Sequence, residues 1–194
     1  MPKIKRIISN RIFEDTMAFW KTLFFFFAFP TKEVSLNDLV EEVEISKTTA
    51  NRVINVLEKE GFLKKEVLGK IWRISCNYGH HYNLSLKVPY HLALIHTSED
   101  IFNKVYSITP NPRAIILFGS YRKGDDNERS DIDIAVEVID NKELEILEIG
   151  KINMGYRKDV PVKLHIFSRN KIDLNLFANI ANGIILDGFL EVRP

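Results

Sequence analysis

The sequence has little of what secreted or membrane-spanning proteins rely on. Among its 194 residues Cys76 is the single cysteine, which excludes an internal disulfide, and no Cys/His cluster has the spacing of a zinc site. The most apolar segment, Leu23 to Phe29, is far shorter than the ~20 residues that a membrane span requires. The basic residues 1–10 precede an apolar segment that contains charged residues, so we expect no signal peptide. These features predict a cytoplasmic protein without a membrane partner.

An excess of one charge is also lacking, because the formal net charge is only +1. The two halves nevertheless differ: residues 1–88 contain 14 Lys and Arg against 10 Asp and Glu, whereas residues 89–194 contain 13 against 16. This asymmetry fits an N-terminal part that contacts polyanions and a C-terminal part that binds cations. We therefore predict two domains, residues 1–88 and 89–194, with residues 77–89 as the connection.

The N-terminal half has strong helical patterns. Apolar residues recur at helical spacing from Glu14 to Phe29, and Pro30 ends the segment. Because this helix is apolar on most sides, a homodimer contact and an internal core are equal alternatives. Two shorter helices follow, with Ser35 and Ser46 as N-caps and Gly61 at the end of the second. Residues 62–67 and 70–74 then predict a β-hairpin.

This order resembles the winged helix-turn-helix of many bacterial and archaeal transcription regulators. Residues 45–63, I-S-K-T-T-A-N-R-V-I-N-V-L-E-K-E-G-F-L, match that motif closely. The resemblance implies binding to double-stranded DNA, with the second helix in the major groove and the hairpin on the backbone. The residues expected to contact DNA are Lys47, Thr48, Thr49, Asn51, Arg52 and Asn55 on the exposed face of the helix and Lys64, Lys65, Lys70 and Arg73 on the hairpin. A winged helix used only for protein contacts remains an alternative.

The C-terminal half alternates between helix and strand patterns. We expect an extended piece over residues 84–88 and a helix that starts near Ser98. The remaining predicted elements are strands at 114–118, 131–136, 160–167 and 184–186, a helix around 144–152 that crosses the sheet, and a helix over 170–182 capped by Ser168. The order predicts an α+β fold with a small mixed sheet.

The most informative segment is Gly119 to Val136. Side chains on a strand alternate between faces, so Asp131 and Asp133 point the same way while Ile132 and Ile134 enter a core. Adjacent carboxylates repel each other, which suggests a hard cation such as Mg²⁺ between them, together with nucleotide phosphates. The Gly119-Ser120 turn upstream offers backbone N–H groups and a hydroxyl for such phosphates. A lone pair of aspartates on a solvent-facing edge strand is the alternative.

The pattern G-S-x-x-x-G followed by S-D-I-D-I resembles the nucleotidyltransferase superfamily that includes DNA polymerase β, and within it the MNT-type proteins. The resemblance covers about residues 97–190. It implies a nucleoside triphosphate as substrate or ligand and Mg²⁺ (or Mn²⁺) as cofactor, with Asp131 and Asp133 as catalytic residues and metal ligands. The residues expected to bind the nucleotide are Gly119, Ser120, Arg122, Lys123, Ser130 and Lys163.

The family pattern has a third carboxylate on a later strand, and Lys163 stands at that position here. A lysine ammonium can neutralise the aspartates or bind phosphate, but it cannot be a Mg²⁺ ligand while protonated. Asp159 and Glu137 are possible substitutes for the missing carboxylate. One hypothesis is therefore an active enzyme that transfers a nucleotidyl group to a hydroxyl.

Other hypotheses place no chemistry in the C-terminal half. In one, an inactive nucleotidyltransferase fold serves a DNA-binding regulator as a nucleotide sensor or dimerisation module. In another, the chain is an MNT-type antitoxin that acts with a helical HEPN partner protein. A third has both modules making protein contacts only.

Overall fold

The computed structural model describes residues 2–69 and 71–192, with side chains throughout except for residues 2–14 and Glu99. Lys70, one of the residues expected to contact DNA, lies outside the described residues. The chain divides into two compact units, Met1–Asn83 and Leu84–Pro194. No helix among the described residues is long and apolar enough to cross a membrane.

The N-terminal unit consists of three helices and a hairpin. Helix α1 spans Pro2–Ala28, α2 spans Leu36–Val43 and α3 spans Lys47–Lys59. Strands β1 (Leu63–Leu68) and β2 (Ile71–Cys76) pair antiparallel. The predicted helices and hairpin are confirmed, and α1 begins earlier than its apolar pattern indicated.

Serine caps fix where α2 and α3 begin. Ser35 forms a complete capping box, because its side chain accepts from the backbone N–H of Asp38 while the Asp38 carboxylate accepts from the backbone N–H of Ser35. Ser46 caps α3 by accepting from the backbone N–H of Thr49 at 3.1 Å. Between the two helices Glu44 adopts a left-handed conformation, with φ of 52°, which ends α2. The local sequence thus sets the turn between the helices.

The apolar end of α1 belongs to the core of the N-terminal unit. Phe25, Phe26 and Phe27 are fully buried, and the ring of Phe27 meets that of Phe62 edge to face at 5.7 Å. On α3, Val53 and Ile54 are buried as the helical spacing predicted. These side chains therefore support the internal-core alternative for this part of α1.

The C-terminal unit starts with helices where an extended connection was expected. A π-helical turn at Asn83–Lys87 runs directly into α4, Val88–His96, and α5 follows at Glu99–Ile108. The predicted extended piece over residues 84–88 is wrong. Pro89 does not prevent a helix here because it lies in the first turn, where a backbone N–H has no helical partner.

A five-stranded mixed sheet forms the centre of this unit. Its strand order is β5-β6-β4-β3-β7, and β4 and β6 pair parallel whereas all other neighbours pair antiparallel. The elements are β3 (Ala114–Phe118), α6 (Gly119–Lys123), β4 (Ile132–Glu137), β5 (Glu145–Met154), β6 (Arg157–Phe167), α7 (Leu174–Ala181) and β7 (Ile184–Gly188). The mixed α+β architecture is as predicted.

Strand β5 replaces the helix that was predicted around residues 144–152. Its burial alternates with a period close to two, and Ile146, Ile149 and Ile152 are β-branched residues that favour strands. A two-residue turn, Gly155-Tyr156, joins β5 to β6, and Gly155 has a φ of +63° that such turns require. The helix inferred from the spacing of Leu144, Leu147 and Ile152 is therefore wrong, because pairing in the hairpin determines the structure of this segment.

Helix α7 is shorter than predicted. It begins at Leu174 because Asp173, not Ser168, is its N-cap: the Asp173 carboxylate accepts from the backbone N–H groups of Asn175 and Leu176 at 2.9 and 3.1 Å. The Ser168 hydroxyl instead accepts from the backbone N–H of Lys142 at 2.8 Å.

Helices cover both faces of the sheet. On one face, side chains of α4 and α5 such as Ile95 and Val105 share a core with Ile134. On the other face, Ile180 of α7 packs in a second core with Phe118, Ala135 and Phe167. Because alternate residues of a strand share a face, the residues next to Ile134, including Asp133, lie on the α7 face.

Candidate functional site

The sheet brings the predicted aspartates beside two basic side chains. In the strand register Asp133 of β4 lies between Phe118 of β3 and Lys163 of β6. Asp131 precedes β4 by one residue, and His165 follows Lys163 by two positions. All four polar side chains therefore lie on the α7 face, on and next to the two neighbouring strands β4 and β6.

Each aspartate contacts a basic partner. The Lys163 Nζ lies 2.6 Å from the Asp131 Oδ2, and the His165 Nε2 lies 3.0 Å from the Asp133 Oδ1. The hydrogen bond and the charge of Asp131 raise the pKa of Lys163, so its ammonium stays protonated at neutral pH. Phe118 meets the imidazole of His165 edge to face at 4.9 Å and helps to orient it. A protonated lysine thus lies directly against the Asp131 carboxylate.

Gly119 packs directly against Asp133. Its φ is +71°, and a Cβ atom at this position would lie 2.7 Å from the Asp133 Oδ2. Any larger residue would therefore be strained and would displace the carboxylate. The expected open turn at Gly119-Ser120 is in fact the first residues of the short helix α6, so Ser120 is held by helical backbone.

A cleft of about 170 Å³ opens beside Gly119, and its lining includes the apolar side chains of Phe118 and Leu176. Its polar lining comes from Arg122 and Lys123, the last residues of α6, and from Asn179 of α7 and Asn182, the C-cap of that helix. The Nε of Arg122 is buried and has no hydrogen-bond partner among the described residues. Two cations and two amides in one small cleft suit an anionic ligand, and no sequence motif had indicated the two asparagines.

Ser130 makes hydrogen bonds within its own loop. Its hydroxyl oxygen accepts from the backbone N–H of Asn127 at 3.0 Å, and its backbone N–H donates to the carbonyl of Asn127 at 3.1 Å. The side chain thereby stabilises the turn that leads into β4.

Neither predicted substitute for the third carboxylate lies near the aspartates. Glu137 is at the far end of β4, where its buried carboxylate pairs with Arg169 at 3.0 Å. Asp159 is exposed and lies four residues before Lys163 on β6. Among the described residues no group of three or more His, Cys, Asp or Glu side chains could hold a metal ion. The residues present therefore do not fit the family's three-carboxylate site for Mg²⁺.

Sequence reasoning missed one carboxylate near Lys163. Glu148 of β5 is the register neighbour of Lys163, and its charge contributes to the raised pKa of that lysine. The helix predicted for this segment concealed the contact, because only a strand places residue 148 beside β6.

The residues expected to bind DNA differ in their exposure. The exposed members are Lys47, Thr48, Asn55, Lys64 and Arg73. Thr49, in contrast, is buried, and its hydroxyl oxygen accepts a hydrogen bond from the Ser46 hydroxyl, so the expectation that it lies on the exposed face is wrong. It faces inward because it is the third residue of α3 and closes the cap. Asn51 and Arg52 are half-buried, and Arg52 pairs with Asp15 of α1.

Two of the hairpin cations, Lys65 and Arg73, contact acidic side chains of the same unit. Lys65 lies 2.7 Å from the Glu58 carboxylate, and its ammonium sits over the ring of Trp72 at 4.6 Å. Arg73 lies 3.5 Å from Glu33 and 3.8 Å from Glu66. These contacts leave Lys64 as the hairpin lysine with the most solvent-facing environment among the described candidates.

A five-stranded mixed sheet with a Gly-Ser pair after one strand and two aspartates at the start of its neighbour is the arrangement of a nucleotidyltransferase-fold domain. Residues 100–187 match the family model described as "Polymerase beta, Nucleotidyltransferase". The C-terminal unit therefore contains a domain of this fold, as its sequence motif predicted. A search of curated proteins found no match to the chain.

Proposed function

We propose that the protein is a DNA-binding transcription regulator whose nucleotidyltransferase-fold domain binds a nucleotide and does not transfer it. The observation that carries this proposal is the ion pair of Lys163 with Asp131 at 2.6 Å, at the position where the family pattern has its third carboxylate. A protonated lysine cannot ligate a metal ion, and its charge neutralises one of the two aspartates.

Local charge supports nucleotide binding without a metal. Lys163 balances Asp131, and Arg122 and Lys123 add two further cations beside Gly119. A triphosphate that enters the cleft would meet these cations as point charges and as hydrogen-bond donors. Ser120, in α6, stays a predicted nucleotide contact, whereas the Ser130 hydroxyl already accepts from the backbone N–H of Asn127.

The N-terminal unit supports the DNA-binding part of the proposal. Helices α2 and α3, joined by a short capped turn and followed by a β-hairpin, are in the order of a winged helix-turn-helix. Lys47 and Thr48 lie exposed on the first turn of α3, where recognition helices contact DNA, and Lys64 lies exposed on the hairpin. Double-stranded DNA is thus the proposed partner of this unit.

A second candidate function is transfer of a nucleotidyl group with Mg²⁺ or Mn²⁺. The close packing of Gly119 against Asp133 favours this function, because an aspartate pair that only faces solvent would not require a glycine at this contact. In this reaction an acceptor hydroxyl would lose its proton to solvent as its oxygen forms a bond to the α-phosphorus, the bond from that phosphorus to the bridging oxygen would break, and pyrophosphate would leave. Asp131 and Asp133 would be the metal ligands.

A charge-reversal variant distinguishes the two candidates. We expect wild type to bind a nucleoside triphosphate with similar affinity in Mg²⁺ and in EDTA, and to release no pyrophosphate. Lys163→Asp restores a third carboxylate, so its nucleotide binding should become dependent on Mg²⁺. Lys158→Asp, on the exposed part of the same strand, is the matched control and should behave like wild type. Pyrophosphate release by wild type that is lost in Asp131→Asn would establish the second candidate.

Two proposed protein partners follow from the resemblance to MNT-type proteins. A HEPN-type partner would be recovered with the tagged chain from its native cells, and a homodimer would show in the solution mass. Recovery of a monomer without partners at cellular concentration would contradict both.

A further inference from the structure

Arg157 connects the two segments of the nucleotidyltransferase-fold domain that border the candidate site. It is the first residue of β6 and is 8% exposed. Its guanidinium donates to the Tyr121 hydroxyl at 2.6 Å and to three backbone carbonyls, those of Asn127, Glu128 and Ser130, at 2.8, 3.0 and 3.0 Å. No motif in the sequence had marked this residue.

The four acceptors belong to different parts of the site. Tyr121 lies in α6 between Ser120 and Arg122, and burial raises the pKa of its phenol, which therefore stays neutral and can accept this bond. The three carbonyls belong to the loop that ends at Asp131. One rigid, planar guanidinium thus joins α6 to the loop that precedes Asp131.

Two other contacts hold the start and the middle of this loop, not its end near Asp131. Lys87 donates to the carbonyl of Asp126, at the start of the loop, at 2.8 Å. Within the loop, the Asn127 side chain accepts from the backbone N–H of Arg129 at 2.9 Å. The Asn127 bond shapes the turn internally and Lys87 anchors the start of the loop, whereas Arg157 attaches the rest of the loop to β6 and to α6.

We propose that Arg157 is a positioning residue that fixes α6 relative to Asp131 and so sets the geometry in which a nucleotide is bound. This rests on the proposed function only for its effect on the nucleotide, since the effect on the loop needs no ligand. A lysine at this position keeps the charge but not the fork of donors, so it would replace only part of the network.

The test compares Arg157→Gln, Arg157→Lys and the control Lys158→Gln, which removes the same charge from the exposed neighbour. Amide exchange is measured over residues 119–131, and β3 serves as internal reference. We expect Arg157→Gln to exchange at least roughly tenfold faster at residues 119–131 while β3 is unchanged, since the loss of even one hydrogen bond to a charged donor is worth about one decade or more. Arg157→Lys should be intermediate, and Lys158→Gln should match wild type.

Nucleotide affinity is measured on the same variants at a temperature where all are folded. We expect roughly tenfold weaker binding for Arg157→Gln and partial rescue by Arg157→Lys. Unchanged exchange at residues 119–131, or equal acceleration in β3, would overturn the proposal because the role would be absent or only global. Absence of binding by wild type would refute the proposed function alone, and the exchange result would still decide the role of Arg157. If Arg157→Gln does not fold, Tyr121→Phe removes one of the four bonds and should accelerate exchange in α6 alone.

Discussion

Replacing Lys87 by methionine tests the buried ion pair at the start of the loop that leads to Asp131. The Lys87 Nζ lies 3.0 Å from the Asp126 Oδ1, and the two side chains are 0% and 2% exposed. Methionine has nearly the same length and volume, so the change removes the charge while keeping most of the packing. The Asp126 carboxylate would then be buried without its cation.

The expected cost follows from that burial. Removing one partner of a buried ion pair typically costs roughly 3–5 kcal/mol, because the other charge stays desolvated and unpaired. Asp126→Asn in the same chain removes the remaining charge, so the double variant should be more stable than Lys87→Met alone. The two changes should therefore be strongly non-additive.

The cost should also depend on pH. Burial raises the pKa of Asp126 from 3.8 to about 6, so the folded state holds the proton more tightly than the unfolded state. A raised carboxyl pKa contributes stability that is present below 3.8 and is lost as pH rises through about 6. Without Lys87 the pKa of Asp126 should rise further, so protonation of Asp126 stabilises the folded state more in the variant than in wild type. The cost of Lys87→Met should therefore be smaller at pH 5 than at pH 7.

The assay must report on the C-terminal unit. Both tryptophans, Trp20 and Trp72, lie in the N-terminal unit, so their fluorescence reports on that unit instead. Exchange of buried β4 amides gives the free energy of unfolding of the C-terminal unit. A cost below about 1 kcal/mol for Lys87→Met, or a double variant whose loss equals the sum of the single losses, would refute the reasoning.

Three further predictions concern separate sites. Burial lowers the pKa of His91 from 6.5 to about 3. The stabilising contribution of the neutral imidazole is therefore present above pH 6.5 and is lost as pH falls, by ~1.4 kcal/mol per pH unit. In denaturant unfolding, His91→Gln should lose less stability than wild type between pH 6.5 and 4. Ser46→Ala removes the cap of α3 and should cost ~1 kcal/mol by tryptophan-detected unfolding, whereas an unchanged midpoint would show that the cap is not needed. Lys64→Ala should lower the slope of log affinity against log salt for a mixed-sequence duplex by about 1, with Lys158→Ala as the unaffected control.

The sequence predicted the elements whose signals are local. Strand β3 occupies the predicted residues 114–118, since a short β-branched run that ends in Gly-Ser has few other options. The caps at Ser35 and Ser46 are confirmed for the same reason: a serine and the backbone three residues later suffice to define them.

The errors arose where tertiary pairing decides the structure. In and just before β5, Leu144, Leu147 and Ile152 stand at spacings that a helix also allows, and only the hairpin with β6 determines that the segment is a strand. Residues 84–88 were expected to be extended, yet they lead into α4, and Lys87 there becomes fully buried against Asp126.

In the candidate site, too, the residues of a local motif could be predicted, whereas a residue that acts through tertiary contacts could not. The motif placed Asp131, Asp133 and Lys163 near one another, and their ion pairing was one of the options that a lysine at that position allowed. Arg157 could not be found in this way, because its acceptors are backbone carbonyls that carry no side-chain signature. Its role follows only from how β6 begins beside the loop before Asp131.

The most direct measurement for the central claim is calorimetric titration of the wild-type chain with each nucleoside triphosphate, in EDTA and in Mg²⁺, with pyrophosphate followed in the same samples. The ion pair of Lys163 and Asp131 predicts binding in both conditions without pyrophosphate release. Binding that requires Mg²⁺ and is accompanied by pyrophosphate release would contradict the account and identify an active nucleotidyltransferase.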